Sequence, residues 1–164
     1  MKSNAILWGV LGLLLAAVCG VAVYKAWPVL FPEIAVSVSA DPACDLRAGP
    51  CRSQVEGGAV SFAIEPRSIP LVKPLQLRVE IQGVAAQQVA VDFSGVDMNM
   101  GFNRFPLKPA GEGIFTGEGL LPVCVRDAME WEAKVLISSR QGLTAVAYRF
   151  ITVRPGAAIP GREN

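Results

Sequence analysis

Residues 5 to 24, AILWGVLGLLLAAVCGVAVY, form a run of 20 residues without a charge. As a helix this run reaches about 30 Å, enough to cross a hydrocarbon layer of ~30 Å. Lys2 precedes it and Lys25 closes it, and Trp8, Tyr24 and Trp27 lie near its ends, where amphipathic rings favour the interface. The expected organisation is an N-terminal membrane anchor over residues 1–27 and a short proline-containing linker over 28–33. A folded domain over 34–153 and a loose polar tail over 154–164 complete it. Pro28 and Pro32 are expected to end the helix. A cleaved signal peptide is the rival reading, since residues 1–4 make a short basic start and Gly20-Val21-Ala22 offers small residues for cleavage. The run is, however, longer than the ~7 to 15 residues of a signal-peptide core. A lipoprotein reading of Ala16-Ala17-Val18-Cys19 is weaker, because Val18 stands where a small residue is needed and the apolar run continues past Cys19. Cys19 reads more simply as a small lipid-facing or helix-packing residue.

With 164 residues the chain has room for one domain beyond the anchor. Its 15 Lys plus Arg against 14 Asp plus Glu leave a net charge of +1, which provides no basic stripe for a phosphate backbone and argues against nucleic acid as a partner. The glycines match neither GxGxxG nor a P-loop, so a nucleotide has no support. Histidine is absent from the sequence. Ser-His-Asp or Cys-His nucleophile activation, a histidine zinc site, a blue-copper centre and an imidazole proton shuttle are thereby removed. Asp92, Asp97 and Glu118 form no pair at a spacing suited to acid and base work and read as solvated strand faces and turns. Arg104 reads as a surface clamp across strands, and Trp131 as core. The expectation is a binding or interaction protein and not an enzyme.

From about Ile34 to Val153 the pattern is strand after strand. Leu75, Leu77, Val79 and Ile81 alternate with Gln76, Arg78, Glu80 and Gln82, one face for the core and one for solvent. The same period of two recurs at Val60, Phe62, Ile64, at Val89, Val91, Phe93, at Trp131, Ala133, Val135, Ile137, and at Val146, Tyr148, Phe150. Turn signals stand between them at Glu56-Gly57-Gly58, Ser94-Gly95, Pro109-Ala110-Gly111, Arg126-Asp127 and Arg140-Gln141-Gly142. About seven or eight short strands with no helical period fit an all-β, immunoglobulin-like antiparallel β-sandwich preceded by one transmembrane helix.

Three cysteines follow the apolar run: Cys44, Cys51 and Cys124. The first two bracket CDLRAGPC, whose Gly-Pro pair turns the chain back. A disulfide closing those eight residues would contribute about 2.5 kcal/mol on the loop-entropy estimate. The alternatives are a redox-active or metal-binding pair and free thiols. The spacing is wider than CxxC, and no second such pair completes a zinc site. A bridge implies an oxidising compartment, which would put the helix N-terminus in the cytoplasm and the domain outside it.

Of four methionines, the three beyond the first residue fall at 98, 100 and 129, in the same stretch as Cys124. In VDMNMGFNR an extended chain puts Met98 and Met100 on one face, and Gly101 and Asn103 bend the chain just after them. Cys124 is out of phase with Leu121, Val123 and Val125, and Met129 follows across a turn. If the two segments meet at one end of the sandwich, Met98, Met100, Met129 and Cys124 form a thioether-rich site suited to Cu(I), which a thiolate would tighten. The alternative is that the methionines fill irregular gaps in a core or interface.

DFSGVDMNMGFNRFPL followed by GEGLLPVC and MEWEAKVLI, after an apolar helix and CDLRAGPC, resembles the small FixH or YtkA-like proteins of bacterial cytochrome-oxidase and copper-handling gene neighbourhoods. The resemblance spans roughly residues 34–153, and its methionine pair corresponds to Met98 and Met100. It implies an immunoglobulin-type domain in the periplasm, tethered to the inner membrane by its own helix. Copper delivery to a copper oxidase, or assembly of that oxidase with its assembly factors, is the implied activity, often alongside Sco-type chaperones. Many periplasmic copper carriers combine methionine with histidine; without histidine here, Cu(I) or no metal is expected and Cu(II) is not.

Overall fold

The computed structural model describes residues 2–30, 34–98, 101, 103–122 and 128–153. It forms two units, Met1–Glu33 and Ile34–Asn164. The first is helix α1, Lys2–Leu30, within which Trp8–Lys25 is long and apolar enough to cross a membrane by length and composition. The helix does not stop at Pro28 as the sequence suggests. Proline removes one N–H, and so one helical hydrogen bond, but the bonds on either side of it survive, and in the last turn of a 29-residue helix that loss is tolerated. The helix ends two residues before Pro32, whose ring disfavours helical geometry in the residue preceding it.

The second unit is all-β, with nine strands among the described residues. They are β1 (Ile34–Ser39), β2 (Cys51–Val55), β3 (Gly58–Glu65), β4 (Pro74–Gln82), β5 (Ala86–Gly95), β6 (Arg104–Gly111), β7 (Ile114–Leu120), β8 (Ala128–Ser139) and β9 (Gly142–Val153). They form one hydrogen-bonded sheet in the order β1-β9-β8-β5-β6-β7-β4-β3-β2, folded over on itself. The fold occurs at β6, which pairs with β5 through Arg104–Leu107 and with β7 through Lys108–Gly111. One layer is therefore β1, β9, β8, β5 and the first half of β6, and the other is the second half of β6 with β7, β4, β3 and β2.

Period-two alternation decides what lies between the layers. Leu75, Leu77, Val79 and Ile81 of β4 are buried while Gln76 and Arg78 are exposed, and β8 buries Met129, Trp131, Ala133, Val135 and Ile137. Each such large apolar side chain contributes roughly 1.5–3 kcal/mol by leaving water. The layers meet where Phe62 of β3 stacks on Tyr148 of β9, ring centroids 5.3 Å apart, and where the Tyr148 hydroxyl donates to the Val60 carbonyl at 3.3 Å. Gly119 of β7 is the other point of close approach. A Cβ there would stand 2.9 Å from Leu77 Cδ1 and 3.2 Å from Phe93 Cε2, so the bare backbone is what lets the Phe93 ring in.

All strand pairs but one are antiparallel. The exception is β1, which runs parallel to β9 with Val38 opposite Val146, so the expected all-antiparallel sheet is corrected to a mixed one. Antiparallel pairing is enforced by a hairpin, and β1 and β9, the first and last strands, share no such connection. Ser94 and Gly95, expected in a turn, instead complete β5. Ser94 and Gly95 are held in register with Glu132 and Trp131.

Candidate functional site

Met98 lies past the Gly95 end of β5, and Met129 lies at the Ala128 end of β8. The β5–β8 ladder ends with Gly95 opposite Trp131, and one further bond, from the Val96 N–H to the Glu130 carbonyl at 3.1 Å, carries it beyond the strand. Met98 follows two residues later and Met129 precedes Glu130, so the two segments meet at one end of the same strand pair. Met98 is half-buried against the core, and Met129, in phase with Trp131, is 6% exposed and belongs to the core itself. Met100 and Cys124 lie outside the described residues, so their expected roles are not addressed by the geometry. Among the described residues no group of three His, Cys, Asp or Glu side chains converges.

The CDLRAGPC loop packs on the domain close to this end. Cys44 and Cys51 form a disulfide with Cα atoms 5.8 Å apart, so the staple reading of the pair holds. Cys51 opens β2 and is buried, and between the cysteines Leu46 is buried as well, which makes the loop part of the core. Asp45 organises its turn: its carboxylate accepts the Arg47 N–H at 2.9 Å and its carbonyl accepts the Ala48 N–H at 2.9 Å. The Arg47 guanidinium donates to the Ile151 carbonyl near the end of β9. Arg67, in the β3–β4 loop, donates to the Ala48 carbonyl at 3.0 Å.

That β3–β4 loop holds two β-branched residues in the left-handed region, Ile69 at φ 46° and Val72 at φ 57°, a conformation that costs such residues on the order of 1–3 kcal/mol. Ile69 is buried and anchors the loop, whereas Val72, whose N–H donates to the Leu121 carbonyl at 2.9 Å, is 53% exposed. Outside α1 the exposed large hydrophobic residues, among those described, are Val72, Val96 and Leu120. All three belong to the methionine end. Leu120 pairs with Pro74 at the start of β4, its carbonyl accepts from Asn103 Nδ2 at 3.2 Å, and Asn103 in turn accepts from the Phe93 N–H. No sequence signal marks this cluster, because each member is a lone apolar residue in a loop or at a strand end.

The remaining residues singled out from the sequence behave as surface and core. Arg104 clamps Asp92 across β6 and β5 at 3.0 Å, Glu118 accepts from Gln76 Nε2 at 2.8 Å, and Trp131 is fully buried with its indole N–H on Thr152 Oγ1 at 2.9 Å. Asp92 continues a row of charges over the outer face of the first layer, where Glu132 meets Lys134 at 3.1 Å and Arg149 at 3.3 Å. Pairs this exposed contribute about 0–1 kcal/mol and serve solubility more than stability. No protein-family model matches the chain, and no curated protein matches it either.

Proposed function

We propose that the protein is a membrane-tethered, periplasm-facing Cu(I)-binding protein of the bacterial inner membrane. It assists copper delivery to a copper-containing respiratory oxidase, or assembly of that oxidase. The observation that supports this reading is the meeting of the Met98 and Met129 segments at one end of the β5–β8 pair. Met100 is two residues from Met98 in the sequence, and Cys124 five from Met129. Because Met129 is committed to packing, the ligands to test are Met98, Met100 and Cys124, three soft sulfur donors of the kind that suits a monovalent copper ion. The disulfide fits an oxidising compartment, and α1 supplies a tether that would raise the local concentration of the domain around membrane partners. Few ligands at one end of a rigid sandwich favour transfer by ligand exchange over permanent storage.

A second reading has its own support. Val72, Val96 and Leu120 are exposed at the same end, which suits an accessory subunit that packs against a membrane partner and carries no metal. The full chain in detergent, free of oxygen, titrated with Cu(I) against a chromophoric competitor, separates the two. One equivalent held by the parent and lost in a folded Met98→Leu, Met100→Leu variant is expected, with Cys124→Ser weakening it. No copper withheld from the competitor would sink the copper reading and leave the docking one.

A further inference from the structure

Strand β1 stands at one edge of the sheet and is bonded along one side only, by a parallel ladder to β9 whose register shifts between Ile34 and Val36. Parallel pairing is slightly less stable per residue than antiparallel pairing, and a register shift disrupts the ladder locally. Ser37 and Ser39 are exposed and Val38 is half-buried, so none of these three belongs to the core. Just past the strand, the Ala40 N–H donates to the Ala147 carbonyl of β9 at 2.9 Å.

The chain beyond Ala40 is fastened without any help from β1. The Asp41 carboxylate accepts the Ala43 N–H at 2.9 Å and the Asp41 carbonyl accepts the Cys44 N–H at 3.0 Å, a turn closed by its own residues. Cys44 is then bridged to Cys51 of β2, and Leu46 is buried in the core. Arg47 bonds the loop to the Ile151 carbonyl of β9, and Arg67 bonds it to the β3–β4 loop. Local stability follows buried apolar contact, so an opening that peels β1 away and stops at Cys44 costs less than separating the two layers.

We infer that β1 is a releasable strap, which leaves β9 while β2 to β9 and the disulfide loop stay folded. With β1 paired, three residues, 31–33, lie between α1 and the strand; with β1 released, thirteen, 31–43, lie between α1 and the Cys44 anchor. At ~3.3–3.6 Å per extended residue these segments reach about 10 Å and about 45 Å. On the reading that α1 is a membrane anchor, on which this use of the strap rests, release lengthens the tether and lets the sandwich meet partners over a range of distances from the bilayer.

The test follows amide hydrogen exchange of the full chain in detergent micelles by nuclear magnetic resonance, without urea and at low urea. The Ala40 amide should exchange about 100-fold faster than the amides inside β8, and its rate should barely respond to urea, because the departure of one edge strand exposes little surface. Val38→Pro removes an N–H and disfavours the ladder to β9. In that variant the Ala40 amide should lose its protection while the Leu46 methyl and Trp131 indole resonances, both from buried groups, stay in place. Ala40 exchange that matches β8 in rate and in urea dependence would overturn the strap, since β1 would then open only with the whole domain. Displacement of the Leu46 resonance in the variant would overturn it too, by showing that the disulfide loop leaves with the strand. Extraction of membranes with alkaline carbonate reads α1 separately. A chain that washes off overturns the tether, whereas a chain that stays while Ala40 exchanges with β8 overturns the strap alone.

Discussion

Tyr148 crosses from one layer to reach the Val60 carbonyl of the other, and burial pushes its phenol above the usual tyrosine range, with the Ser53 hydroxyl offsetting part of the rise. The folded phenol holds its proton more tightly than the unfolded chain does. Its contribution to stability is therefore complete below the unfolded value of about pH 10, and it is lost as the pH rises through the higher folded value. Urea midpoints measured from pH 8 to 11 should hold level to about pH 10 and then fall, and Tyr148→Phe should flatten the fall. Trp131 poses a different test. Thr152→Val keeps the branched shape but leaves a buried indole N–H without its acceptor, which should cost about 1–3 kcal/mol in the same measurement. Met129, read from the sequence as a candidate copper ligand with packing as the alternative, is buried, since it shares its phase with Trp131, Ala133, Val135 and Ile137 and the alternation that buries them buries it too.

Among the elements, those with clean alternation and a tight turn were legible and those without were not. The sequence pattern identifies the inward faces of β3, β4, β5, β8 and β9, because each has apolar residues at every second position. It passes over β6, whose Pro106 and Pro109 read as interruptions. The structure tolerates them because each half of β6 is bonded on one side only, so a residue without an N–H need not break a ladder. The CDLRAGPC loop behaves as an element of its own, and replacing Cys44 and Cys51 by serine should lower stability by about 2.5 kcal/mol, read as a shift in denaturant midpoint. Because Cys51 is buried, mild reductant applied to the folded parent should leave that midpoint unchanged. Gly83→Ala is expected to be costly on two counts, a positive φ and a clash with the Gly57 carbonyl oxygen, and should destabilise by more than 1 kcal/mol without touching the core.

Across the whole molecule, what the sequence could not supply was the assembly of distant pieces. Met98 and Met129 come together through the pairing of β5 with β8, two strands separated in the chain by β6 and β7, and no local pattern announces such a partnership. The apolar helix was legible because its length and composition are local properties. If it serves as an anchor, Leu14→Arg should cost about 2.5–3.5 kcal/mol of insertion and move full-length chain from the membrane to the soluble fraction after carbonate extraction.

The parallel pair at the sheet edge also sets an order of events in biosynthesis. Strand β1 leaves the ribosome first of the nine, yet its partner β9 is the last to be made, with Ile34 waiting for Leu143. At ~5–20 residues per second that interval is roughly 5 to 20 seconds, during which Ile34–Ser39 is an unpaired strand open to a holding chaperone or to a wrong neighbour. Closure of this sheet edge thus waits for β9, and a chain stalled short of β9 should be cleared by proteolysis and not accumulate as a partly folded sandwich.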